Sequence, residues 1–210
     1  MEGLGYYFTH PQAIIYEVAT ALLYPVLVAE VIALAWAVFE AGRFTVELVQ
    51  RIHRRSLDML RIDAKAAQAA LAAGKPQEAI DHLKHGLAGG RYGRRFAARL
   101  APDLLNRVEL MKLLNDIELE AARRLERTRV LVRIGPMLGL MGTLIPISPA
   151  LIALAQGDVQ TLADNLVIAF STTVVGLLIG GIAYFISTVR DRLYTQDVSD
   201  IEYALELLEV

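Results

Sequence analysis

Two stretches of this chain contain no Asp, Glu, Lys or Arg: 24 residues from Ile134 to Gly157 and 25 from Asn165 to Val189. At 1.5 Å rise per residue each makes a helix of about 36–38 Å, enough to cross a hydrocarbon layer of about 30 Å. A third stretch, Val18 to Phe39, is interrupted only by Glu30. One Glu at mid-span costs about 2.5–3.5 kcal/mol on insertion scales, less than the surrounding Leu, Val, Ile, Ala and Trp offset. The chain is therefore expected to be an all-α membrane protein with three transmembrane helices.

The cations give the expected orientation. No Lys or Arg precedes Arg43, and none lies between Arg133 and Arg190. By the positive-inside rule the segments 43–133 and 190–210 are cytoplasmic. The expected order is an outside N-terminal segment (1–17), a first span (18–42), a cytoplasmic helical region (43–132), a second span (133–157), an outer loop (158–163), a third span (164–189) and a cytoplasmic C-terminal helix (190–210). The first residues carry Glu2 and lack a cationic n-region, so no cleaved signal peptide is expected.

The polar region reads as helical, with a break at Gly74-Lys75-Pro76, where Pro76 suits the first position of a new helix. A shorter helix over 77–88 follows, then a hinge at Ala88–Gly93. After Pro102 one pattern runs unbroken from Leu104 into the second span, so the second and third spans extend into the cytoplasm. Within it Glu120 is spaced to pair with Arg123 or Arg124.

Several function classes are disfavoured. With 21 cations against 23 anions the net charge is −2, which gives no bulk basicity for nucleic acid. There is no cysteine for a thiolate metal site or a nucleophile. His82 and His85 share an i,i+3 spacing without a third ligand, and neither a metal nor another cofactor is expected. No phosphate loop, H-E-x-x-H or G-x-S-x-G occurs, so the chain is not expected to be an enzyme.

The informative pattern lies inside the spans. On a 100° wheel, Pro136, Gly139, Gly142, Thr143 and Pro146 share one arc of the second span, opposite Met137, Leu138, Met141 and Leu144. On the third, Ala169, Thr173, Gly176 and Gly180 share an arc opposite Phe170, Val174 and Leu178. Such faces serve close helix packing in lipid. Matched stripes, each with a threonine near mid-depth, also suit a lined path or a wall against which a partner helix turns. Neither of the two charge-free runs, Ile134–Gly157 and Asn165–Val189, offers a carboxylate. Either ions do not pass, or the titrating group belongs to another chain.

Arg133-Ile134-Gly135-Pro136-Met137-Leu138-Gly139-Leu140-Met141-Gly142-Thr143-Leu144 resembles the proline, glycine and G-T signature of the MotA/TolQ/ExbB proton-channel family. Ile168-Ala169-Phe170-Ser171-Thr172-Thr173-Val174-Val175-Gly176-Leu177 resembles the signature of that family's last helix. The three-span layout is closer to TolQ and ExbB than to the four-span MotA. The resemblance implies a homopentamer in a prokaryotic inner membrane, around a single-span partner of the MotB/TolR/ExbD type that carries a membrane aspartate. It implies an ion path for H⁺ or Na⁺ lined by Thr143 and Thr173, with Pro136 shaping the inner mouth. Where ExbB-type proteins often carry a Glu early in the last span, this chain has Ile168.

Ser171 and Thr172 add oxygens that a sodium path would use, although consecutive helical residues point 100° apart and cannot all face it. Glu30 has two readings: an ion relay or access residue, or a protonated side chain bonded to a neighbouring helix in a span bent by Pro25. The rival to an ion-channel subunit of a stator-like motor complex is a non-conducting membrane scaffold that packs through its small-residue faces.

Overall fold

In a computed structural model, residues 11–51 and 57–208 are described, and no strand occurs among them. The helices are α1 (Pro11–Ala21), α2 (Leu23–Arg51), α3 (Leu57–Ala72), α4 (Pro76–Gly86), α5 (Arg91–Ala98), α6 (Arg107–Ala155) and α7 (Val159–Leu207). Short 3₁₀ turns lie at Leu87–Gly89 and Pro102–Leu104. Among the described residues three helical stretches are long and apolar enough to cross a membrane: Ala13–Arg51, α6 and α7. The chain divides into two compact units, one of Met1–Ala41 and Thr128–Phe185, the other of Gly42–Arg127 and Ile186–Val210.

The first unit is built as lipid demands. Its bulky side chains point outward, among them Val31, Ile32, Met137, Leu144, Val174 and Leu177. Its buried cluster is small and narrow by comparison: Ala33 and Ala37 of α2, Leu131 of α6, and Ile179 and Ala183 of α7. Lipid is as apolar as leucine, so burying large side chains gains little, whereas small ones let backbones pack closely. The break between α1 and α2 falls at Leu22, whose amide bonds back to Val18 and Ala19 at 3.2 and 3.1 Å. Pro25 explains it: having no N–H, it leaves the Ala21 carbonyl without its i+4 donor.

α6 ends in a Schellman turn. Gly157 takes φ +77°, the Asp158 amide bonds to Ala153 O at 2.9 Å and the Gly157 amide to Leu154 O at 3.1 Å. Asp158 then caps α7, accepting from the Thr161 amide at 3.0 Å and the Thr161 hydroxyl at 2.6 Å. These bonds hold its carboxyl below the usual range. The expected outer loop 158–163 is thus mostly the first turn of α7. Asn106 caps α6 in the same way, through the Glu109 amide at 2.9 Å, so that helix starts slightly later than the pattern suggested.

The second unit has a conventional core. Leu60, Ala64 and Ala67 of α3, Ile80 and Leu83 of α4, Tyr92 and Phe96 of α5, Leu110, Leu114 and Ile117 of α6, and Tyr194, Ile201 and Ala204 of α7 are buried together. The helical spacing of each set puts it on one face. As expected, Pro76 opens α4, after a turn in which Gly74 takes φ +72°.

The chain breaks between α4 and α5 within the expected hinge, but the break is confined to Leu87–Gly90: Tyr92 and Gly93 are buried within α5, and a side chain at Gly90 would run into the Asp197 carboxylate. Glu120 does not pair along its own helix. It holds Arg95 and Arg99 of α5, the latter at 3.1 Å, because tertiary packing brings two guanidinium groups to it.

Buried ion pairs complete this unit. Arg51 Nη2 donates to Asp197 Oδ2 at 2.6 Å, and the Tyr92 amide donates to the same oxygen at 3.0 Å. Glu47 lies 3.4 Å from Arg190 Nε and accepts from the Tyr194 hydroxyl at 3.3 Å, while that hydroxyl accepts from Arg124 Nε at 3.0 Å. Burial pushes both Tyr194 and Tyr92 up, Tyr92 to about 12, so both stay neutral hydroxyls at ordinary pH. The Tyr92 hydroxyl has no hydrogen-bond partner among the described residues, and its ring packs edge-on against Tyr194 with centroids 4.8 Å apart. Tyr92→Phe is therefore expected to change stability by no more than about 1 kcal/mol, since no hydrogen bond is lost. Phe96→Ala should cost about 3–5 kcal/mol. Thermal unfolding of the detergent-solubilised protein compares the two.

Candidate ion path

The small-residue stripes of α6 and α7 face each other. A Cβ added at Gly135 would sit 2.8 Å from the Gly180 nitrogen, and one at Gly139 would sit 3.1 Å from Gly176 Cα. One added at Gly176 would meet Gly135 O and Gly139 Cα at 2.7 Å. Gly180 makes room for the Pro136 ring, and Gly142 for the Thr172 side chain. Within one chain these faces close on each other rather than enclose a cavity, because with no Cβ in the way the backbones come into van der Waals contact.

That approach sets two threonines together. Thr143 and Thr173 are half-buried, and their hydroxyls are in hydrogen-bond contact. Thr143 Oγ1 also lies 2.8 Å from Gly139 O and 3.4 Å from Ala169 O, and Thr173 Oγ1 lies 3.1 Å from Ala169 O. Two hydroxyls carry two protons for several acceptors, so oxygen lone pairs remain in the group. A further carbonyl is close in sequence: Pro146 has no N–H, which leaves Gly142 O without its i+4 amide donor. Hydroxyl and carbonyl oxygens in an apolar wall can receive a proton-carrying group or a cation.

The other expected residues fall in different places. Thr172 is buried against Gly142, its hydroxyl donating to Ala169 O at 2.9 Å. Ser171 is exposed. Ala169 is fully buried and Pro146 is buried on α6. The structure thus brings Thr143, Thr173 and Ala169 into one polar group, joins Pro136, Gly139, Gly142, Gly176 and Gly180 in the helix contact, and leaves Ser171 outside both.

Glu30 belongs to the same unit. It is 3% exposed and shares its α2 face with buried Val26, Ala33 and Ala37. Its carboxyl reaches the Gly176 backbone, yet its Oε1 has no hydrogen-bond partner. Gly176 is three residues from Thr173, about 4.5 Å along the helix. Sequence reasoning singled out Glu30 but gave no neighbour for it; only the bare surface at Gly176 could have suggested where a side chain fits. His85, considered as a metal ligand, lies 2.7 Å from the Asp63 carboxylate instead. No group of three His, Cys, Asp or Glu side chains placed to hold a metal occurs among the described residues.

Three helices of membrane-spanning length and hydropathy among the described residues make this a multi-pass membrane protein. Residues 94–203, just over half of the chain, match the MotA/TolQ/ExbB proton channel family, and the chain belongs to that family. No curated protein and no solved structure matches it. The family is one of channels rather than enzymes.

The glycine contacts yield a direct check. Gly176→Ala forces a methyl into backbone atoms and is expected to lower stability by about 1–3 kcal/mol. Gly181→Ala meets nothing within 4 Å and should leave the melting temperature unchanged or slightly raised. Melting both variants in the same detergent tests whether the α6–α7 approach is as close as described.

Proposed function

We propose that this chain is the channel subunit of a stator-like complex in a prokaryotic inner membrane, with the N-terminus outside and the C-terminus in the cytoplasm. Five copies surround two copies of a single-span partner that carries a membrane aspartate. The observation that carries the reading is the joined Thr143–Thr173 pair, half-buried beside the α6–α7 glycine contact. α6 and α7 have no Asp or Glu between Ile134 and Gly157 or between Asn165 and Val189, so the carboxylate of a conducting path has to come from elsewhere.

The ion is a proton. A sodium path needs several free oxygens on one side; Ser171 is exposed, and the Thr172 hydroxyl, its side chain packed against Gly142, is committed to donating to the same Ala169 O that Thr143 and Thr173 approach. Hydroxyls beside a partner aspartate are suited to hydrogen-bonding its carboxyl in either protonation state. One charge crossing 100 mV releases about 2.3 kcal/mol, so an ion-driven step requires a partner interface with small barriers.

The test is proton flux through the co-expressed complex in liposomes. Thr143→Val with Thr173→Val is expected to reduce flux to background while native mass spectrometry still shows five subunits and two partner copies. Unchanged flux would remove the threonines from the path, and a monomer or dimer that recruits nothing would favour the scaffold.

Glu30 is placed in this reading as a relay near the path rather than a packing residue, on the strength of its unpartnered Oε1 close to Gly176. Glu30→Gln keeps the shape and removes the titration, so it should cut flux severalfold with assembly intact. Full flux in this variant would make the role structural.

A further inference from the structure

The second unit contains a cationic recess that the channel reading does not use. Arg51, Arg91, Arg94 and Arg95 line a cavity of about 310 Å³ together with Glu47, Gln50 and Ala98. Its charges are unequally compensated. Arg95 is held by Glu120, and Arg51 by Asp197 and by Leu193 O at 3.3 Å. Glu47, the single carboxylate in the lining, is shared through its Oε2 between Arg190 and Arg124, while its Oε1 has no hydrogen-bond partner. Arg91 and Arg94 have no ion-pair partner among the described residues. Arg51 is 8% exposed, yet its Nε is buried without a hydrogen-bond partner, and so is the Nε of Arg91.

Four guanidinium groups around one hollow repel one another, and buried N–H donors left unsatisfied cost free energy. Both costs are relieved by an anion that accepts several hydrogen bonds at once. A phosphate group does this better than a carboxylate, because its oxygens point in more than two directions and each takes a guanidinium edge. We infer that the recess lined by Arg51, Arg91, Arg94 and Arg95 is a phosphate-binding site. Two sources share that chemistry. Position 47 lies five residues beyond the end of the expected first span, about 7–8 Å along α2, which is within reach of a lipid headgroup. The recess is also open to soluble phosphates.

The experiment uses the full chain in nanodiscs. In phosphatidylcholine discs, inorganic phosphate is titrated against chloride at matched ionic strength; in parallel, discs are made with phosphatidylglycerol. Both are read by melting temperature, and the lipid arm also by native mass spectrometry. Phosphate raising the melting temperature in phosphatidylcholine assigns the site to soluble anions. Stabilisation and lipid retention only with phosphatidylglycerol assign it to a headgroup. In either case Arg91→Gln with Arg94→Gln should weaken binding by about tenfold or more. Should that pair fail to fold by circular dichroism, Arg94→Gln alone serves, since Arg94 is exposed. No stabilisation from either probe, or a shift as large in the variant as in the parent, overturns the inference.

Discussion

Backbone-to-backbone contact between α6 and α7 is the constraint on which the membrane unit depends. At Gly135, Gly139, Gly176 and Gly180 the helices approach until a single methyl group would collide with the facing helix. In water such a contact would compete with hydrophobic burial of larger side chains. In lipid that competition disappears, and dispersion between closely fitted surfaces decides. The bulky residues are displaced to the lipid side as a consequence, and the polar atoms of Thr143 and Thr173 are drawn into hydrogen-bond contact because the backbones that carry them are so near.

The same contact accounts for where the acidic residue of the first span can sit. The Glu30 carboxyl on α2 comes near the Gly176 backbone, at the helix whose close approach to α6 leaves no room for a side chain there. The second unit solves its electrostatic problem differently. Its buried carboxylates, Glu47 and Asp197, are each approached by more than one donor, as burial of charge requires. Helix contacts there rest on large apolar side chains such as Phe96, Ile117 and Ile201, where the membrane unit uses glycine and alanine.

Reading the sequence located the three spans, the two small faces and the threonine pair, because each is written in local order: a run without charge, or a residue type recurring with the helical period. Proline and glycine punctuation gave Pro76 its place at the start of α4. What could not be read was choice among partners. Glu120 had suitable arginines three and four residues away, and the folded chain gives it Arg95 and Arg99 instead. Arg51 and Asp197 are 146 residues apart in sequence, and nothing in either neighbourhood announces the pairing. The glycines of 89–93 looked like flexibility, yet Gly90 and Gly93 owe their identity to lack of space, since a Cβ at either would strike a neighbour. Period alone also could not say whether a small face meets another helix of its own chain or is left for a partner.

The turn at Gly157 and Asp158 has a consequence for biogenesis. With so few residues between them, α6 and α7 form a helical hairpin that can pair as soon as both have entered the bilayer, their glycine faces already side by side. The first span is made long before this and carries Glu30 into lipid with nothing to receive it. Until the hairpin arrives and presents Gly176, that helix bears the cost of its acidic residue alone, which makes it the least securely held part of the nascent protein.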